Sequence, residues 1–137
     1  MRTPERALAW LLRAVGTLDL CALVAVLMPR EWHARAHALA GLGAIPDAPI
    51  VSYLTRSASS LYALYGALLL YLASDVVRYL GAIRFLALAA QAHALVLVVI
   101  DLNSGLPPWW IAAEGTVYLG WSGAVLWLVR RTARADV

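Results

Sequence analysis

Residues 57–74 read SASSLYALYGALLLYLAS, eighteen positions without a charge, opened by Arg56 and closed by Asp75. A buried helix of a soluble bundle needs a polar face, and this stretch has almost none. Two other runs repeat the pattern, Phe85 to Ile100 and Gly115 to Val129, and a further one from Ala14 to Pro29 is broken only by Asp19. A bilayer span needs about 20 mostly apolar residues. Extending each run past its flanking charges predicts four spans, at about 8–28, 54–73, 80–100 and 109–129.

The composition agrees. Of 137 residues, 63% are hydrophobic and 14% charged, against about 25% charged in soluble domains. A globule of this size has too much surface to hide such a chain from water. The expected fold is all-α: one transmembrane domain over 1–137, an integral membrane four-helix bundle with a short interfacial helix in its first outer connection. The first span has the arginine-rich start of a signal peptide, but LMPREWH offers no small-residue cleavage site. The span is expected to be retained.

Arginine carries all the basic charge; there is no lysine. Arg2, Arg6 and Arg13 precede or enter the first span, Arg78 and Arg84 flank the second turn, and Arg130, Arg131 and Arg134 follow the last span. These eight face three on the other side, Arg30, Arg35 and Arg56. The positive-inside rule then predicts both termini in the cytoplasm, as an even number of spans requires. The expected location is a bacterial inner membrane, crossed several times. Arginines gathered at membrane edges leave no nucleic-acid partner in view. The lipid bilayer is the expected partner, with a homo-oligomer or a membrane-protein partner left open.

The connections differ in character. PREWHARAHALAGLG (29–43) predicts a helix over about 31–39, lying in the interface with Trp32 among headgroups. SDVVRYLG predicts a tight cytoplasmic turn. DLNSGLPPWW predicts an outer-surface connection, with Asp101 and Asn103 in water, Pro107 and Pro108 opening the fourth helix, and Trp109 and Trp110 in the aromatic belt.

Several polar groups fall inside the spans. Asp19 and His93 lie at depths that differ by roughly 3 Å at 1.5 Å per residue. They are candidates for a midplane pair, either fixing packing or handling protons or a ligand. Glu114 and Arg56 fall in one outer layer, where a guanidinium fork suits a carboxylate. Trp110, Glu114, Tyr118 and Trp121 share one broad helical face. With Arg56, Tyr62 and Tyr65 opposite, they would line a small-ligand pocket or form a packed outer layer. Arg13 and Arg84 are placed to snorkel, and Gln91 shares the face of Arg84 and is placed to point into the bundle. Small residues at 59, 63 and 67, and at 116, 120 and 124, predict close helix contacts within or between chains. Cys21 is alone and reads as a small hydrophobe.

No catalytic motif is present: no nucleophile elbow, CxxC, CxxCH or phosphate-binding glycine loop. His33 and His37 are four apart with Glu31 nearby, but no third ligand is evident, so no metal is assigned. The sequence names no cofactor.

YLTRSASSLYALYGALLLYLASDVVRYL together with DLNSGLPPWWIAAEG resembles small bacterial four-helix membrane proteins of uncharacterised families, and the layout of about 10–130 is similar to the DoxX-like group. That resemblance implies a redox or quinone-linked accessory role and assigns no residue. The sequence therefore favours a non-enzymatic accessory or small-ligand-binding membrane protein. The alternatives are a membrane enzyme or quinone/redox partner using the outer Arg/Glu layer, and an oligomeric small-solute transporter or channel.

Overall fold

The computed structural model describes residues 3–135 and is all-α. The helices are α1 (Thr3–Leu20), α2 (Leu23–Leu27), α3 (Arg30–Leu39), α4 (Pro49–Leu72), α5 (Leu80–Ser104) and α6 (Pro108–Ala135). Arg2, counted above on the cytoplasmic side, lies outside the described residues.

The first apolar segment, Thr3–Leu27, is 25 residues long but is not one uninterrupted α-helix. Cys21 N–H is shared between the carbonyls of Thr17 and Leu18, both at 3.1 Å, and Ala22, Val24 and Ala25 each donate three residues back, to Asp19, Cys21 and Ala22 at 3.0 Å. The chain tightens into a 3₁₀-like turn between α1 and α2. No glycine or proline marks this place in the sequence. Cys21 sits on the turn and is exposed, which corrects its reading as a packed small hydrophobe.

Met28 is extended (φ −66°, ψ 134°) ahead of Pro29, which serves as N-cap of α3. A residue before proline is pushed out of the α region, so the chain turns here. The helix expected over 31–39 is present as Arg30–Leu39. Gly41 (φ 71°) ends it. Its N–H bonds Ala38 O at 3.0 Å, and Leu42 N–H reaches back to His37 O at 3.1 Å. This is the Schellman arrangement, which satisfies the last carbonyls of a helix. His37 Nδ1 lies 3.0 Å from Gly43 O and ties the following strand of loop to α3.

α4 starts five residues earlier than the expected span, at Pro49, whose missing N–H costs nothing in a first turn. The expected tight turn follows α4. Asp75 Oδ1 accepts Arg78 N–H at 3.1 Å and Asp75 O accepts Tyr79 N–H at 3.1 Å, an aspartate-initiated turn. α5 then runs to Ser104, four residues past the expected end, and stops at Gly105 (φ 66°). Asn103 Nδ2 donates to Val99 O at 2.7 Å and Ser104 Oγ to Ile100 O at 2.6 Å, each side chain bonding back one turn. Asp101 is consequently helical and only 3% exposed. Its expected place in outer water is thereby corrected. α6 opens at Pro108, as expected, with Trp110 N–H on Pro107 O at 2.9 Å.

The chain divides into two compact units. One comprises the chain up to Leu12 with everything from Leu72 onward. Its core draws Leu8 and Leu12 from α1, Val76 from the turn, Ile83 and Ala87 from α5, and Val125 and Val129 from α6. α5 and α6 pack as a hairpin joined by residues 105–107. A methyl group on Gly115 would stand 2.8 Å from Val98 Cγ2, so the helices approach closely there. Gln91 Nε2 lies 3.7 Å from the same position on Gly123, so Gln91 does point at α6.

The other unit is Arg13–Tyr71. Here α1 crosses α4 with backbone against backbone. A Cβ on Gly66 would fall 2.5 Å from Gly16 O and 2.6 Å from Leu20 N. Gly16, Ala63, Gly66 and Leu69 are buried, while Ala67 is exposed. The small-residue contact of α4 therefore runs through 63 and 66, not through 63 and 67. On α6, Thr116, Gly120 and Ala124 are all exposed, and no atom lies within 4 Å of a Cβ built on Gly120. The buried face is Gly115, Ser122 and Val125 instead.

Candidate functional site

α6 carries a polar column at helical spacing. Trp110 Nε1 donates to Glu114 Oε2 at 2.8 Å, one helical turn away. The next turn brings Tyr118, whose ring meets His93 of α5 edge-on at 5.6 Å and 79°. One turn further, Ser122 Oγ donates to Tyr118 O at 2.6 Å and is fully buried. Trp109 packs edge-on against Trp110, at 5.6 Å between centroids. Trp110, Glu114, Tyr118 and Trp121, expected on one face, are all half-buried. The i, i+4 spacing makes the column, since such residues stack on one side of a helix.

His93 differs from expectation. It is exposed, and its described partner is the Tyr118 ring. Asp19 is half-buried and stands where α1 ends, just before the tightened turn. Its Cβ would lie 3.0 Å from a Cβ on Gly66, and Tyr65, the preceding residue of α4, is within electrostatic reach of its carboxyl. Asp19 and His93 belong to different units, as do Arg56 and Glu114, so both pairings remain expectations of the sequence. Arg56 and Tyr62 are exposed and Tyr65 is half-buried. Arg84 is exposed.

Three wholly buried polar atoms have no hydrogen-bond partner among the described residues: His33 Nε2, Asp101 Oδ2 and Thr132 Oγ1. Such atoms are costly when left unmet, by about 1–3 kcal/mol each. Asp101 was missed by the sequence reading, although a signal existed. It continues the seam of Ile83, Ala87, Ala90 and Ala94, whose 4-3-4 spacing reaches 101 after one further heptad. Among the described residues no group of three or more His, Cys, Asp or Glu is placed to hold a metal ion.

No family model matches the chain, and neither a curated protein nor a solved structure does.

Proposed function

We propose that the chain is an integral membrane protein of four spans, both termini cytoplasmic, that binds a small ligand or a partner and performs no chemistry of its own. The observation that carries the reading is apolar exposure on helices of spanning length. Thr3–Leu27 and Leu80–Ser104 are each long and apolar enough to cross a bilayer, yet only 11% and 22% of their most apolar windows are buried. A core helix of a soluble protein would be mostly buried. On α5 alone Phe85, Leu88, Leu95, Val96, Val99 and Ile100 are exposed. Burial of one such side chain is worth about 1.5–3 kcal/mol, so six facing water would forgo on the order of 10 kcal/mol, as much as a whole domain's stability. Lipid removes that cost.

α4 and α6 are less apolar, because Arg56, the serines and tyrosines of α4, and Glu114 and the glycines of α6 weigh against them. Exposed Leu61, Leu64 and Leu68 on α4, and Val117, Leu119 and Trp127 on α6, support reading them as spans too. The half-buried column of Trp110, Glu114 and Tyr118 supports the binding role: it offers aromatic faces and one carboxylate.

One observation favours a second reading, transport by several copies. The first span is discontinuous beside Asp19, and interrupted helices with a polar residue at the break are how transporters expose backbone to a solute.

The topology is tested with single cysteines in a Cys21→Ser background, Thr3→Cys and Ser104→Cys, labelled from outside with a membrane-impermeant maleimide. Labelling at 104 and protection at 3 are expected. Labelling at 3 in intact cells refutes the orientation, and extraction of the chain by alkaline carbonate refutes the membrane reading itself. Mass spectrometry of protein purified in mild detergent then identifies what co-purifies.

A further inference from the structure

The α5–α6 hairpin gathers exposed cations at one end. Along it Gly115 stands against Val98 and Gly123 against Gln91, so seven residues back on α5 match eight residues on along α6. The same step taken once more sets Arg84 level with Arg131. Arg130 and Arg134 lie within one turn of that level, and Arg78 belongs to the turn that leads into α5. All five arginines are exposed, all lie in the unit that holds α5 and α6, and none is ion-paired among the described residues. Within 74–84 and 130–135 the one carboxylate is that of Asp75, and one of its oxygens already accepts Arg78 N–H.

Two of the guanidiniums are held over aromatic rings. Arg131 stands 4.0 Å from the centre of the Trp127 ring, and Arg78 stands 5.5 Å from that of Tyr79. Stacking uses the face of a guanidinium and leaves its N–H edge to meet an anion. Val77, Phe85 and Trp127 are exposed in the same segments. A polyanion in water would cover the cations and leave these apolar groups bare. A lipid surface covers both, because tryptophan lies at headgroup level and arginine reaches past it toward the phosphates. The order along α6 fits: Arg131 is one turn, about 5.4 Å, nearer the helix end than Trp127.

We propose that this end of the hairpin is a docking surface for anionic phospholipid headgroups, with Arg78, Arg84, Arg130, Arg131 and Arg134 facing their phosphates. The inference rests on the bilayer reading and deepens it by naming a lipid class. A zwitterionic headgroup brings its own ammonium to its phosphate. Phosphatidylglycerol brings none and leaves its charge to the protein. Each arginine near an anionic surface is worth about a factor of five in association.

The test reconstitutes the full chain in phosphatidylcholine vesicles carrying a trace of lipid spin-labelled near the chain end, either phosphatidylglycerol or phosphatidylcholine. The electron-spin resonance spectrum separates lipid held against protein from lipid free in the bilayer. At low salt, phosphatidylglycerol should be held severalfold more strongly than phosphatidylcholine. The preference should fade as sodium chloride is raised to about 1 M, where the Debye length is about 3 Å. Arg84→Gln with Arg134→Gln should remove more than half of the preference. Arg35→Gln with Arg56→Gln removes the same charge from the other unit and should remove much less. Equal holding of the two lipids by the wild-type chain overturns the proposal and leaves the bilayer reading intact. So does a preference that salt does not move, or an equal loss in the two double variants. No held component with either lipid refutes the bilayer reading itself, and this proposal with it.

Discussion

Gly66→Ala is the sharpest perturbation of the Arg13–Tyr71 unit. The added Cβ would lie 2.5 Å from Gly16 O and 2.6 Å from Leu20 N. Ordinary contact begins near 3.4 Å, so α1 and α4 must part by most of an ångström. Neither obstacle is the tip of a side chain that could swing aside; both are main-chain atoms. A radial gap of about 0.5–1 Å forfeits a quarter to a half of each dispersion contact along the crossing, and overpacking of this kind costs about 1–3 kcal/mol. Against this stands the better helix propensity of alanine, worth up to about 1 kcal/mol. A net loss of about 1–2 kcal/mol is expected. Gly16→Ala meets Gly66 O at 2.9 Å and side-chain carbons at 3.1 and 3.2 Å, and should cost less. The double variant should fall short of the sum, because one separation relieves both clashes. Gly120→Ala is the control: nothing lies within 4 Å, so it should be neutral or slightly stabilising. Unfolding midpoints are read by far-ultraviolet circular dichroism as sodium dodecyl sulfate displaces a mild detergent. Wild-type stability in Gly66→Ala, or a cost in Gly120→Ala equal to that in Gly66→Ala, would refute the crossing.

Asp101→Leu should raise the same midpoint by about 1–3 kcal/mol, since it replaces a buried carboxyl oxygen that lacks a partner with apolar volume; a loss of that size would show that the carboxyl is met by something the chain itself does not supply. Trp110→Phe keeps the ring packing but deletes the hydrogen bond to Glu114, and should cost about 1 kcal/mol. An unchanged midpoint would show that the bond is exchanged freely for water. Arg131→Gln should cost about 0.5–1 kcal/mol, because the guanidinium stacks 4.0 Å from the Trp127 ring. Quenching of Trp127 fluorescence should change with it, and an unaltered spectrum would speak against the stack.

Features written in local chemistry were legible in the sequence. Pro29 and the glycines of GLG bracket α3, Asp75 starts the turn to α5, and Pro108 opens α6. Helix rotation was not. α5 is apolar all round, so its pattern alone does not tell which side meets α6. The choice of Gly115 over Thr116 and of Ser122 over Gly120 follows from which backbone approaches its neighbour, and small residues every fourth place are compatible with several such faces. The same ambiguity hid Asp101, whose residue type said water while its position on the seam said interior. Of the candidate site, the α6 column was readable because i, i+4 spacing is independent of rotation. The burial of His33 Nε2 was not, because the loop 45–48 folds back on α3.

On the proposed bilayer reading, the tightened turn at Cys21–Ala22 bears on how the first segment fits its membrane. Ala22 is in the right-handed helical region (φ −60°, ψ −17°), so conversion between the two hydrogen-bond ladders crosses no strained backbone. A 3₁₀ residue rises about 2.0 Å and an α residue about 1.5 Å. Re-registering four residues there changes the segment's length by about 2 Å. Mismatch between a helix and its bilayer costs fractions of a kcal/mol per ångström, the same scale as one shifted hydrogen bond. On the proposed bilayer reading, such a shift would change the length of the first span by that amount and leave its contact at Gly16 in place.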